Sequence, residues 1–381
     1  MNLLPAVLLG GPPHSGKSVL AYSLTHALRE QGIQHYVLRA APDGEGDWAN
    51  EADQELVRII RAKGEFSQDF VRHVCDSLAR RHMPLLVDVG GRPTPEQEVV
   101  FDYCTHAILL YKDETELEFW QAIAERHNLI VIAILRSDLD AAEAITDSGP
   151  VLRGTIGGLA RGALAAGPMV QALVQRLAGM FAYSHDELLN INLLDAPVED
   201  VRIVEELASI IGVPSEGERY RWQPDHLKPV LELLPAGQPT AVYGRGPTWL
   251  YAAIAAHTSP ALFWQFDVRL GWVQSLALRF GDLSPNAPLQ IETHARPGHL
   301  HIEFRLLRAY LDYEEIHDLR VPEVAQTQGV VLSGKLPNWL WTSLTLAYRN
   351  AAWVGIYYPP LNGAVVVARS GANAPAVGSM V

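Results

Sequence analysis

Over the first third of the chain, short apolar runs alternate with stretches whose apolar positions recur every three or four residues. Residues 6–10, 35–39, 84–89, 106–111 and 129–135 carry the continuous pattern of buried strands, and 17–31, 51–63, 67–81 and 115–127 carry the helical period. Strands and helices in alternation build a parallel sheet covered on both faces, which predicts an α/β, doubly wound domain over residues 1–140. Ligands of such sheets sit beyond the C-terminal ends of the strands. Residues 141–235 change character. Gly, Ala and Leu dominate 148–180, Arg153 and Arg161 lie among glycines, and 168–213 reads as mostly helical, so this segment is expected to be a lid or connector. Further on, 288–293 and 299–306 alternate as strands do around a Pro297-Gly298 turn.

The first strand runs directly into Gly11-Pro12-Pro13-His14-Ser15-Gly16-Lys17-Ser18, and a helix follows at once. That is the G-x-x-x-x-G-K-[ST] phosphate-loop spacing, between the strand and the helix that the motif requires. Glycines let backbone N–H groups curl around phosphate oxygens, and the start of the helix adds its positive dipole. Gly11, Pro12, His14, Ser15 and Gly16 are therefore candidate cradle residues. Lys17 would reach the β- and γ-phosphates and Ser18 would ligate Mg²⁺, so the expected ligand is ATP with Mg²⁺. Asp88 closes the strand Pro84–Val89 ahead of Gly90-Gly91-Arg92, the position from which a carboxylate serves Mg²⁺ in phosphate-loop proteins. In the loop Arg39–Trp48, Asp43 or Asp47 would receive an acceptor's proton if the domain is a kinase; the same residues also read as a solvated acidic loop. Arg136-Ser137-Asp138 ends the last strand, where a base could be recognised or a helix capped. With neither a small helical lid nor a sensor arginine in evidence, the domain reads as a kinase-like phosphate-loop NTPase rather than an AAA+ module.

Composition narrows the partners. A formal net charge of −13 argues against a broad footprint on long DNA or RNA. The absence of a membrane-length apolar run or a cleavable leader predicts a cytoplasmic protein. Cys75 and Cys104 read as buried small hydrophobes rather than a metal pair or a disulfide.

The C-terminal half repeats itself. Tyr243-Gly244-Arg245-Gly246-Pro247-Thr248-Trp249-Leu250 and Ser333-Gly334-Lys335-Leu336-Pro337-Asn338-Trp339-Leu340 each lead from a strand, through a turn, into a helix and a second strand. From Trp249 to Asp267 the separation is 18 residues and from Trp339 to Tyr358 it is 19, a difference of one residue in register. Both tryptophans read as core. The stretch Leu289–Val367, above all VVLSGKLPNWL and AAWVGIYYPPLNGAVVV, together with VYGRGPTWLYAA and FDVRLG, resembles the third family of CRISPR-associated ring nucleases. GPPHSGKS, RAAPDGEGDW and VDVGGR resemble the ATPase domain that some members carry in fusion.

The resemblance implies ferredoxin-like modules in tandem, a degenerate half module at 236–285 and a complete one at 286–381. It also implies a type III CRISPR context, binding of cyclic tetraadenylate between dimers that stack into filaments, and cleavage of that ring with Mn²⁺. The first copy keeps Gly244, Arg245, Gly246 and Pro247, has His257 near the family's histidine, and keeps Asp267 and Arg269 of the acidic motif; Tyr243 and Val268 depart from it. By resemblance, Asp267 with or without His257 binds Mn²⁺ or positions an attacking 2′-hydroxyl, and Arg245 or Arg269 neutralises charge on phosphorus. The second copy has Lys335, Tyr358 and Pro360 in place of the family's arginine, aspartate and arginine, and lacks the histidine. It is expected to hold no metal, while its Ser333-Gly334 turn could still bind phosphate through backbone N–H groups. Three readings follow: a messenger-controlled NTPase or phosphotransferase, a Mn²⁺-dependent ring nuclease, and a non-catalytic protein that assembles on its ligands.

Overall fold

The computed structural model describes residues 4–40, 68–216, 219–284, 287–307, 311 and 313–381. The chain forms two compact units, Met1–Leu194 and Asp195–Val381.

In the first unit β1 (Ala6–Gly10) leads to α1 (Lys17–Glu30) and β2 (Tyr36–Ala40). Then come α2 (Gln68–Ala79), β3 (Leu85–Val89), the single turn α3 (Pro95–Glu98), β4 (His106–Tyr111), α4 (Glu114–Arg126) and β5 (Ile130–Ser137). The periodicity located all of these but α3 within a residue or two; the helix expected at 51–63 lies outside the described residues. All five residues of β1 and of β3 are buried, as strands must be when helices cover both faces of a sheet. Local chemistry sets the ends. Asp113 caps α4 by accepting from the Glu116 N–H at 3.0 Å, leaving one fewer orphan donor at the helix start.

The segment 141–194 belongs to this unit. It supplies β6 (Ala144–Asp147), β7 (Leu152–Ile156), α5 (Pro168–Met180) and α6 (His185–Leu193). The seven strands lie in the order β2-β3-β1-β4-β5-β7-β6, with β6 alone antiparallel to its neighbour. Leu152, Leu173, Leu177 and Phe181 share one core with Leu20 and Leu24 of α1, so the expected lid or connector is here sheet edge and core. The chain crosses from one side of β1 to the other between β3 and β4, and an α/β sheet opens its crevice at such a switch point.

The second unit begins with β8 (Val201–Ile203), α7 (Val204–Ile211), the ribbon β9 (Ser215–Glu216) and β10 (Arg219–Tyr220), and α8 (Leu227–Glu232). The first copy of the repeat follows as β11 (Thr240–Tyr243), α9 (Thr248–Thr258), β12 (Phe263–Asp267) and β13 (Gly271–Gln274). After β14 (Arg279–Phe280), β15 (Leu289–Arg296), β16 (His299–Leu306) and β17 (Arg320–Val321), the second copy is β18 (Gly329–Gly334), α10 (Asn338–Tyr348), β19 (Trp353–Tyr358) and β20 (Gly363–Arg369). The sheet orders β8-β11-β12-β13 and β16-β18-β19-β20 match strand for strand, parallel for the first three and antiparallel for the last. The first copy thus starts at Val201 rather than at 236, because β8 supplies its outer strand. Trp249 of α9 and Trp339 of α10 are both fully buried in one core. The equivalent first residues of the two helices touch each other: Thr248 Oγ1 donates to Asn338 Oδ1 at 2.9 Å.

Cys75 and Cys104 are free and buried, and burial raises their thiols to about 11 and about 12, the behaviour of inert packing residues. No helix among the described residues is long and apolar enough to cross a membrane.

Candidate functional site

The loop between β1 and α1 is held open by backbone that side chains rarely adopt. His14 and Gly16 have φ of 59° and 79°. A Cβ at Gly16 would stand 2.5 Å from Leu159 Cβ, and one at Gly11 would stand 2.8 Å from the Leu110 carbonyl oxygen. Ser137 Oγ at the end of β5 donates to the Ser15 carbonyl at 2.9 Å, tying the loop to the sheet.

A cleft of about 820 Å³ opens beyond the C-terminal strand ends. His14, Ser15, Gly16, Lys17 and Ser18 line it from the loop, Asp88 and Gly90-Gly91 from the end of β3, and Arg136, Ser137 and Asp138 from the end of β5. Lys112 and Arg161 complete its rim. The structure thus brings together Lys17, Ser18 and Asp88, and it places the Arg136–Asp138 strand end and Arg161 in the same cleft. Gly11 and Pro12 lie behind the lining, where their carbonyls accept from Lys17 Nζ at 2.8 and 2.7 Å. Asp43 and Asp47 lie outside the described residues.

One role was not legible in the sequence. Arg39 Nη1, at the end of β2, lies 2.9 Å from Asp88 Oδ2 and donates to Ser18 Oγ at 3.2 Å. A guanidinium therefore bridges the two residues expected to serve Mg²⁺. The residue set fits Mg²⁺ and a polyphosphate on three counts. The glycine cradle has no room for side chains, and a hydroxyl and a carboxylate stand together around a cation. The third count is Ser15 Oγ, which is buried with no hydrogen-bond partner among the described residues, as a donor reserved for a ligand would be.

Lys17 sits under the loop, and burial pushes its ammonium down to about 8, partly opposed by Asp88. Phosphate binding selects the charged form. Nucleotide affinity is therefore expected to fall as the pH rises through about 8, with proton uptake on binding near pH 8.5. Calorimetry in buffers of different ionisation enthalpy should show that uptake in the wild type and none in Lys17→Ala. The unfolded chain holds this proton up to 10.5, so Lys17's contribution to stability of the nucleotide-free protein rises between about 8 and 10.5.

In the second unit Asp267 and Arg269 of the ring-nuclease motif lie together, and His257 does not join them. Asp267 Oδ1, at the end of β12, accepts from the backbone N–H groups of Arg269 and Leu270 at 2.9 and 3.3 Å and lies 3.7 Å from Arg269 Nε. It closes its own turn. His257 occupies the last turn of α9, at the opposite end of the module from Asp267, and its Nε2 is 2.9 Å from the Leu234 carbonyl oxygen. An eleven-residue helix spans roughly 16 Å, which excludes a shared ion between these two side chains in this arrangement. The Gly244-Arg245-Gly246 turn carries a partner that the sequence did not show. Glu205 Oε1 accepts from the Arg245 N–H at 3.0 Å, and a Cβ at Gly244 would overlap that same carboxylate. In the second copy, Ser333 Oγ is 2.7 Å from His301 Nε2, and Gly334, with φ of 142°, leads into α10.

Residues 305–381 match the family described as CRISPR-associated protein (Cas_csx3). This span runs from the end of β16 through the whole second copy and agrees with the CRISPR association read from its motifs. The crystal structure of molybdopterin-guanine biosynthesis protein B is similar over 47% of this chain and 99% of its own, at 12% identity and a TM-score of 0.23. No curated protein matches the chain.

Proposed function

We propose that Met1–Leu194 binds ATP with Mg²⁺ and turns it over, as an ATPase or phosphotransferase, and that Asp195–Val381 receives cyclic tetraadenylate and controls that turnover in type III CRISPR signalling. The observation that carries the first half is the convergence of Lys17, Ser18 and Asp88 on one cleft beside Ser15 Oγ, which has no hydrogen-bond partner among the described residues. Ser18 and Asp88 would hold Mg²⁺, which when bound neutralises charge on the phosphates. Lys17 would exchange the Gly11 and Pro12 carbonyls for phosphate oxygens, and Arg39 would leave the gap between Ser18 and Asp88. Arg136 and Arg161 line the same cleft and supply positive charge around the phosphates.

The second half is supported by the match at 305–381, by the paired copies, and by the turns at Gly244 and Ser333 that start two adjoining helices. A ligand with two-fold symmetry suits a pair of related modules, within one chain or across a homo-oligomer or filament. The position of His257 in the last turn of α9, away from Asp267, supports sensing over ring cleavage by the two together. ATP turnover measured with and without saturating cyclic tetraadenylate tests the coupling. A change on the order of fivefold or more is expected, since a ligand shifts an equilibrium only by its differential affinity. An unchanged rate would remove the control idea and leave the nucleotide site standing.

A further inference from the structure

A second set of ligating side chains stands on the hairpin β15–β16. Register places Glu292 opposite Glu303 and His294 opposite His301. Alternation along each strand turns all four to one face of the sheet. The other face carries Ile302 and Phe304 into the core with Trp339. Glu292, His294 and Glu303 each offer a ligating atom within 4.8 Å of the others.

The arrangement is costly as it stands. Like charges directly opposed on neighbouring strands repel. The compensation is one hydrogen bond from a neutral amide and two long ion pairs: Gln290 Nε2 donates to Glu292 Oε1 at 3.0 Å, His294 Nε2 is 3.9 Å from Glu292, and the exposed Arg305 is 3.9 Å from Glu303. Alongside, His301 is anchored through its Nε2 to Ser333 Oγ, and Ser333 is the register partner of Glu303 on β18. The cluster therefore extends across three strands to the turn at the start of α10.

We propose that Glu292, His294 and Glu303 bind a divalent transition-metal ion, with His301, held by Ser333, as the adjoining imidazole. An imidazole with two carboxylates is a borderline donor set that suits Mn²⁺ or Zn²⁺ over Ca²⁺ or a thiolate-seeking ion. This gives the second copy a metal that its own repeat motif does not supply, because the ligands come from the hairpin ahead of it. The site is independent of the nucleotide cleft. Resting on the messenger reading, it would face a phosphodiester held at Ser333-Gly334.

Nucleotide-free, chelator-stripped full-length protein titrated with Mn²⁺, with free Mn²⁺ followed by electron paramagnetic resonance, tests the site. The wild type is expected to show a site that persists in Asp88→Asn and weakens at least roughly tenfold in both His294→Ala and Glu303→Gln. Thermal unfolding adds a readout with a distinctive sign. Without metal, Glu303→Gln should be no less stable than wild type, because a repulsion is relieved, and Mn²⁺ should raise the melting temperature of the wild type and of Asp88→Asn more than that of Glu303→Gln. Binding unchanged in both hairpin variants, or lost only with Asp88→Asn, would overturn the proposal. Failure of the nucleotide reading would instead appear as ATP binding indifferent to Lys17→Ala, with the hairpin result untouched.

Discussion

Lys17→Ala is expected to lower nucleotide turnover by roughly 10³-fold or more, the scale reached when a charge-stabilising group is removed from a preorganised site. Its ammonium is the one cation that the loop itself holds within the cradle, donating to the Gly11 and Pro12 carbonyls at 2.8 and 2.7 Å. The substitution removes a buried group whose burial disfavours its charge, so it should not unfold the protein. Loss of turnover with an unchanged circular dichroism spectrum and melting temperature is the expected pair of results. Arg136 and Arg161, also on the cleft, remain to attract phosphate, so binding should weaken less than turnover falls. Residual turnover above about a tenth of wild type would show that the chemistry does not pass through this loop.

What the sequence made legible was whatever depends on local backbone demands. The Gly11–Ser18 spacing is readable because a cradle of N–H groups needs glycine at fixed offsets, and the structure puts positive φ at Gly16, where Leu159 excludes a Cβ. The strands β1 and β3 were readable because burial on both faces leaves a continuous apolar run. β7 leaves no sequence signal because only its ends, Leu152 and Ile156, are buried, which yields neither an apolar run nor a clean alternation. β8 is three half-buried residues fused to a helix, too short for any period, so the first copy looked like a half module. The repeat itself was found through its turns, and the structure extends it to whole sheets. Functional contacts between distant residues left no trace: Glu205 lies forty positions from the Arg245 N–H it meets, and the role given to Asp267, with or without His257, rested on motif likeness, while the helix places His257 at its far end. The hairpin cluster is illegible for the opposite reason, since alternating Glu and His on an exposed strand looks like any solvated face.

Arg39→Ala is expected to destabilise the nucleotide-free protein and to make it bind Mg²⁺ more tightly, two effects of opposite sign from one contact. Asp88 is 3% exposed at its side chain and Arg39 16%, so this is a buried ion pair. Removing one partner of such a pair costs about 3–5 kcal/mol where the other charge is left uncompensated, and because Asp88 still faces Lys17 the lower end is expected. That corresponds to a melting temperature lower by roughly 6 °C or more in a unit of this size. The same guanidinium also donates to Ser18 Oγ, and so occupies the ground between the two expected Mg²⁺ ligands. A divalent ion must displace it in the wild type and meets no competitor in the variant. Affinity for Mg²⁺ without nucleotide should rise roughly tenfold, the equivalent of about 1.4 kcal/mol, and saturating Mg²⁺ should restore most of the lost thermal stability. Calorimetric titration with Mg²⁺ and melting curves in chelator against Mg²⁺ separate the two effects. A variant as stable as wild type in chelator would mean that the pair stabilises nothing. Weaker Mg²⁺ binding in Arg39→Ala would mean that Arg39 supports the ion site rather than guarding it, and that Ser18 and Asp88 need its positioning to act as ligands.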